Sequence, residues 1–243
     1  MPFWLDDPRR PEPQPLLARH ISTELLIIGG GFTGLWTAVL AKEEDPRREV
    51  VLLEAEEIAS GASGRNGGFV DESITHGLQN GLARWPGEFP TLLRMGCENL
   101  DAIESSIERL GIECDYRRVG DVLMASEPYQ VNELRAEIEL IKRFDIEYEF
   151  YDQARVHEIV KSPFFIGALN CPRASSLVNP AHLAWGLRRA CLALGVQIFE
   201  HTPVIQIEEN GNYIVASTPH GCVRTERVAL ATNAFPPLLK RLS

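Results

Sequence analysis

Apolar residues along this chain fall into two patterns, short unbroken runs and longer stretches with helical spacing. Leu25-Leu26-Ile27-Ile28, preceded by Glu24, is a run of the first kind and predicts a strand covered on both faces of a parallel sheet. Glycines follow at once. Leu35, Ala38, Val39 and Leu40 then mark a helix ending near Asp45-Pro46, and Val50-Val51-Leu52-Leu53 predicts a second buried strand. These three elements make a βαβ unit, whose connection is right-handed. Residues 90–111 read as an amphipathic helix, with Leu93, Leu100, Ile103, Ile107 and Leu110 on one face and Gly111 as its stop. A strand over Val119–Ala125 follows, then a helix marked by Val131, Leu134, Ile138, Ile141 and Phe144. These elements neither belong to the first βαβ unit nor repeat it, so they predict a second, substrate-side domain inserted into the first.

The last third returns to the first style. Asn179 is an N-cap, Pro180 suits the first helical position, and Gly195 stands where a C′ glycine belongs. Leu183, Leu187, Ala190, Cys191 and Leu194 form the apolar face between them. A strand over Val196–Phe199 comes next. Val204–Ile207 and Tyr213–Ala216 then flank Asn210-Gly211, a hairpin signal. Val228–Ala231 predicts a buried strand ending in Thr232-Asn233. Ahead of all this, Pro2, Pro8, Pro11, Pro13 and Pro15 forbid regular helix over residues 1–22. That segment reads as an extended arm, with Phe3 and Trp4 either docked on the body or left in a surface tail. The expected divisions are the arm 1–22, a nucleotide-binding domain in two parts, 23–83 and 176–243, and the inserted domain 84–175.

Composition narrows the function more than the fold. With 34 acidic against 24 basic residues the net charge is −10, which leaves no basic surface for nucleic-acid phosphates. Arg117-Arg118 and Arg188-Arg189 are pairs rather than tracts and read as solvated surface. The 5 cysteines show no C-x-x-C and no zinc spacing, the usage of free thiols in a reducing cytoplasm. The first twenty residues carry no apolar run of the signal-peptide kind, and nowhere do 18 apolar residues run together. The expectation is a cytosolic protein with no metal, nucleic-acid or membrane partner.

The chemistry sits in the glycines. Gly29-Gly30-Gly31-Phe32-Thr33-Gly34 contains G-x-G-x-x-G at Gly29, Gly31 and Gly34, between a buried strand and a helix. The first glycine allows the tight turn, the second lets a pyrophosphate approach the backbone, and the third lets helix and strand pack closely. Glu54 follows the second strand, 20 residues beyond Gly34, where a carboxylate accepts the ribose hydroxyls of an adenosine. Ser60-Gly61-Ala62-Ser63-Gly64-Arg65-Asn66-Gly67-Gly68 is a second glycine-rich loop, whose backbone N–H groups can face a ligand unobstructed. A plain NAD-binding unit does not need it.

Together these stretches resemble the FAD-dependent amine and amino-acid oxidases of the D-amino-acid oxidase superfamily, in the glycine, sarcosine and γ-glutamylputrescine oxidase-like branch. The residues carrying the resemblance are Gly29–Gly34 with Glu54, the phrase Gly61–Gly68, Asn179-Pro180 with its helix, and Ala231-Thr232-Asn233-Ala234. It implies an α/β fold: an FAD-binding Rossmann-type (glutathione-reductase-like) domain with an inserted, incomplete α+β substrate domain. It further implies that Gly29, Gly31, Phe32, Thr33 and Gly34 meet FAD at the pyrophosphate loop and Glu54 meets the adenosine ribose. Ser63, Arg65, Asn66, Gly67 and Gly68 would line the inner part of the FAD site, Val204 would offer its backbone to the adenine, and Ala231, Thr232 and Asn233 would lie beside the nucleotide. The implied reaction is oxidation of the C–N bond of a small amine or amino acid by hydride transfer to flavin, followed by imine hydrolysis.

Two points stay open in the sequence. His76, His157, His182 and His201, like Tyr116, Tyr148 and Tyr151, match no catalytic motif, so no catalytic residue is assigned. The chain also stops at Ser243, soon after the Ala-Thr-Asn turn and Phe235-Pro236-Pro237, whereas resembling enzymes continue. The expectation is therefore the N-terminal portion of an oxidase, one that alone binds FAD weakly and turns over no amine. The alternative is a non-catalytic nucleotide-fold remnant, or a subunit whose missing half comes from a second chain. An NAD-dependent dehydrogenase is a weaker third reading, because the Arg65–Gly68 loop suits FAD better.

Overall fold

A computed structural model describes residues 2–144 and 146–234; Phe235-Pro236-Pro237 and the chain to 243 lie outside the described residues. The chain forms β1 (His20–Ile28), α1 (Phe32–Glu44), β2 (Val50–Leu53), β3 (Phe69–Asp71), α2 (Leu78–Arg84) and α3 (Phe89–Arg109). There follow β4 (Arg117–Arg118), β5 (Asp121–Ala125), α4 (Pro128–Ile141), β6 (Glu149–Asp152), α5 (Gln153–Ile159), β7 (Gly167–Cys171) and β8 (Ser175–Leu177). The last elements are α6 (Pro180–Ala193), β9 (Gln197–Phe199), β10 (Gln206–Asn210), β11 (Tyr213–Thr218) and β12 (Gly221–Leu230). Two compact units result. The first gathers residues 1–67, 107–114 and 179–243, and the second residues 68–106 and 115–178.

The first unit is built on a six-stranded sheet in the order β10-β11-β12-β1-β2-β9. Its right half is parallel, with Leu25–Ile28 paired to Val50–Leu53 on one side and to 227–230 on the other. All four residues of β2 are buried, as its unbroken apolar run predicts. Leu26, Ile28, Val51, Leu53, Ala216 and Val223 share a core cluster with Leu17 of the arm. On α6 the cap signals fall where the sequence puts them. The Asn179 side chain accepts the His182 N–H at 3.1 Å, and Gly195 has φ +85°.

Two strands run further than their apolar runs predict. β1 starts at His20 rather than Leu25, and β12 starts at Gly221 rather than Val228. They extend each other, since His20 pairs with Cys222 and the register runs unbroken to Ile28 and Leu230. The extra residues alternate inside and outside, Val223 and Thr225 being buried while Arg224 and Glu226 are exposed. β12 is also less covered than expected, with Leu230 39% exposed.

The second unit carries two antiparallel three-stranded sheets, β3-β8-β4 and β5-β7-β6. Helix α4 packs Leu134, Ile138 and Ile141 against Ala125 and Leu169, the apolar face read from its periodicity. A capping box between Glu127 and Gln130 starts that helix. Arg118 departs from the solvated-surface expectation: it bonds the carboxylates of Asp101 and Glu104 and is only 15% exposed. No helix among the described residues is long and apolar enough to cross a membrane.

Candidate functional site

In a parallel sheet with helical crossovers, ligands gather at the carboxyl ends of the strands. In the first unit three such ends meet. Gly29, leaving β1, donates its N–H to Leu53 O of β2 at 2.8 Å, and Ala231, leaving β12, donates to Ile28 O at 2.8 Å. Gly29 has φ +113°, and a Cβ there would collide with the Ala231 carbonyl oxygen. A Cβ on Gly34 would collide with the Gly29 carbonyl oxygen, so α1 sits against the turn at a distance only glycine allows. Both are backbone collisions that no rotamer change relieves.

Helix α1 starts at this point without a side-chain cap. The Phe32 N–H is taken by Ser63 Oγ at 2.9 Å, while those of Gly31, Thr33 and Gly34 have no acceptor among the described residues. Open N–H groups at the positive end of a helix suit an anion such as pyrophosphate. Glu54 stands beside the loop. Its Oε2 accepts the Gly30 N–H at 2.6 Å and its Oε1 the Glu56 N–H at 3.0 Å. The segment after β2 is zipped to the end of β9, Glu54 N–H donating to Phe199 O at 2.9 Å and Thr202 N–H to Glu54 O at 2.8 Å. Burial pushes the Glu54 carboxyl above its ordinary 4.5, against the lowering effect of the two backbone donors. Each carboxylate oxygen keeps lone pairs for a further donor.

The second glycine-rich loop folds onto the first. Ser63 forms the link to Phe32, and Asn66 Nδ2 donates to Ser63 O at 2.9 Å and to Ala62 O at 3.2 Å. Arg65 Nε donates to Ser60 O at 2.6 Å. Gly67 closes this stretch, and Gly68, φ +78°, opens the second unit, where its carbonyl accepts the Val178 N–H at 2.8 Å. Asn233 takes a left-handed φ of 55° just after Thr232. Val204 lies between β9 and β10, packed on the sheet's core cluster. The cradle thus joins Gly29–Gly34, Glu54, Ser63 and Ala231 by direct contact, and it is lined by glycine at the turn and the helix start.

Outside this cradle the side chains offer little chemistry. In the second unit Cys97 Sγ donates to Glu72 Oε2 at 3.4 Å, and burial with the Glu72 charge pushes the thiol up to about 11, which suits no nucleophile. His182 is buried, with Nε2 3.0 Å from Asp7 Oδ2, while His201 is half a surface residue, 3.9 Å from Glu57. Among the described residues no group of three or more His, Cys, Asp or Glu is placed to hold a metal.

What the sequence missed is a pair of charges behind the cradle. Arg188, expected at the surface, is 6% exposed and bonds Glu200 Oε2 at 3.2 Å; Glu200 is 2% exposed. The Leu187-Arg188-Arg189 pattern places Arg188 at the border of the apolar face, the one signal that could have shown it.

Fold and cradle together define a dinucleotide-binding protein of the Rossmann type. The sequence pattern of the FAD dependent oxidoreductase family matches residues 24–243, and the chain belongs to that family, whose cofactor is FAD. A probable oxidoreductase OrdL of Haemophilus influenzae is 28% identical, covering 98% of this chain and 55% of that protein. The γ-glutamylputrescine oxidoreductase of Escherichia coli is 30% identical over 94% of this chain and 54% of its own length. The crystal structure of glycine oxidase from Geobacillus kaustophilus shares the fold with a TM-score of 0.74 at 22% identity, over 90% of this chain and 57% of that one. The chain therefore spans about half the length of the curated relatives it matches.

Proposed function

We propose that this chain provides the FAD-holding part of an oxidoreductase acting on the C–N bond of a small amine or amino acid. The observation that carries the reading is the meeting of three parallel strand ends at one glycine loop, with an uncapped helix start on one side and Glu54 on the other. In this reading the open N–H groups of Gly31, Thr33 and Gly34 face the pyrophosphate, Phe32 shares its own with Ser63, and Gly29 supplies the tight turn beneath it. Glu54 accepts the ribose hydroxyls through the lone pairs its backbone donors leave. Val204 offers backbone to the adenine, and Ala231, Thr232 and Asn233 flank the nucleotide. Ser63, Arg65, Asn66 and Gly67 belong to the inner part of the site, and Gly68 is proposed with Gly67, which it follows in the chain. FAD, when bound, supplies two-electron oxidation of the substrate; the residues here bind and orient it. The amine class is supported by the E. coli relative, whose name specifies an amino compound.

Titrating the purified chain with FAD tests this directly. The expected result is a saturable change in the flavin spectrum, competed by ADP, since the cradle addresses the adenosine end. A spectrum unmoved by FAD would favour the competing reading, a nucleotide-fold chain that holds no flavin. With FAD bound, anaerobic loss of flavin colour on adding γ-glutamylputrescine or a simple amino acid would identify the substrate class.

A further inference from the structure

The proline-rich arm is tied down by long-range bonds to one buried carboxylate. Gln14 donates its N–H to Glu200 Oε2 at 2.6 Å, and Arg188 Nη2 donates both to Glu12 O at 2.5 Å and to the same Glu200 oxygen. Leu17, 1% exposed, follows with its N–H on Thr202 Oγ1 at 3.0 Å. At its other end the arm reaches the second glycine-rich loop. There Trp4 Nε1 donates to Asn66 O at 2.8 Å, and buried Leu5 lies where a side chain on Gly64 would stand.

The other oxygen of Glu200 faces the cofactor cradle. Glu200 Oε1 accepts the Ile58 N–H at 2.7 Å. The Ile58 side chain occupies the space next to Gly30, which a Cβ there would contest, together with Glu54. Ala59 donates its N–H to Gly30 O at 3.2 Å. One carboxylate therefore holds the arm with one oxygen and the floor of the glycine loop with the other. A buried ion pair adds little stability compared with apolar residues of the same volume. What this one supplies is geometry.

We propose that Glu200 is a positioning residue for FAD and that the proline-rich arm is the clasp that keeps it in place. With Glu200 fixed, the segment from Glu54 to Ala59 holds its carboxylate and its loop contacts in register for the adenosine half of the cofactor. The prolines restrict the undocked arm, so docking loses little conformational freedom. The clasp rests on the FAD reading above and adds to it residues that do not touch the cofactor.

The test compares Glu54→Gln, Glu200→Gln and Gln14→Pro in the full 243-residue chain, measuring FAD affinity and the thermal midpoint of the FAD-free protein. Gln14→Pro is the mildest of these, since it removes one N–H from a segment already flanked by Pro13 and Pro15. Loosening the arm's hold on Glu200 predicts an FAD dissociation constant raised about tenfold in Gln14→Pro, while the FAD-free midpoint falls by about 3–10 °C, the cost of one hydrogen bond to a charged group, and the chain stays folded. Glu200→Gln raises it at least as far, and Gln14→Pro then adds little on top, because both act through one carboxylate. If Glu200→Gln fails to fold, Gln14→Pro decides alone. The clasp is overturned if Glu54→Gln weakens FAD binding while folded Gln14→Pro and Glu200→Gln bind it unchanged. If Glu54→Gln has no effect either, the FAD reading of this cradle falls with it.

Discussion

Glu54 shows what the surroundings of a single residue add to its place in the sequence. Its spacing from Gly34 marks it in the sequence, but only the structure shows its two oxygens already holding the Gly30 and Glu56 N–H groups in a buried setting. Burial raises its pKa above 4.5, so it takes up a proton at a higher pH than an exposed glutamate. In the role proposed for Glu54, ribose hydroxyls would donate to the ionised form. FAD affinity should therefore fall as the pH is lowered towards that raised value, and Glu54→Gln should bind about tenfold more weakly with that pH step removed. Titrations from pH 8 to pH 5 check this; an unchanged slope in the variant would assign the step to another group. In the cofactor-free chain the sign is opposite. A raised carboxyl favours the fold below its ordinary value, and that contribution is lost as the pH rises through the raised one. Glu200 and Arg188 were not legible, because a charged residue is read as surface unless its partner is known. Here the partners of Glu200, Gln14 and Ile58, come from distant parts of the chain.

Elements whose signals are local were legible almost to the residue. Helix α6 is the clearest, opened by Asn179-Pro180 and closed by Gly195. The Asn179 cap takes the His182 N–H, and Asn179→Ala should lower stability by about 1 kcal/mol while Asn179→Asp restores most of it. Urea unfolding midpoints measure the difference, and an Ala variant as stable as the parent would show that packing alone holds the helix start. β12 was half legible. Val228–Leu230 stands out as an apolar run, whereas Gly221–Arg227 alternates with charged residues and gains strand structure from pairing with β1. The arm was legible only negatively. Prolines say what it cannot become, and where it docks depends on residues near position 200.

At the scale of the whole molecule, both units hold cysteines shielded enough to stay protonated, buried Cys191 in the first and half-buried Cys97 and Cys171 in the second. Burial pushes the thiols of Cys97 and Cys171 up to about 11 and that of Cys191 to about 12. An unfolded chain releases these protons near pH 9, so the folded state binds more of them above that point. The stabilisation they give is full below about pH 9 and is lost as the pH rises towards the folded values. Unfolding midpoints should accordingly drop between pH 8.5 and pH 10.5, and Cys191→Ala should make the drop shallower. Equal slopes for the two proteins would count against the buried thiol as the cause.

The order of strands in the large sheet has a consequence for how the protein is made. β1 leaves the ribosome first, yet its β12 partner follows only after roughly 200 further residues. At translation rates of about 5–20 residues per second, one edge of Leu25–Ile28 waits on the order of 10–40 s for its neighbour. Through that interval this apolar stretch of the sheet has a row of open backbone groups, available to any other extended chain nearby. The nascent protein is thus most prone to mispairing at the strand that later carries the glycine loop.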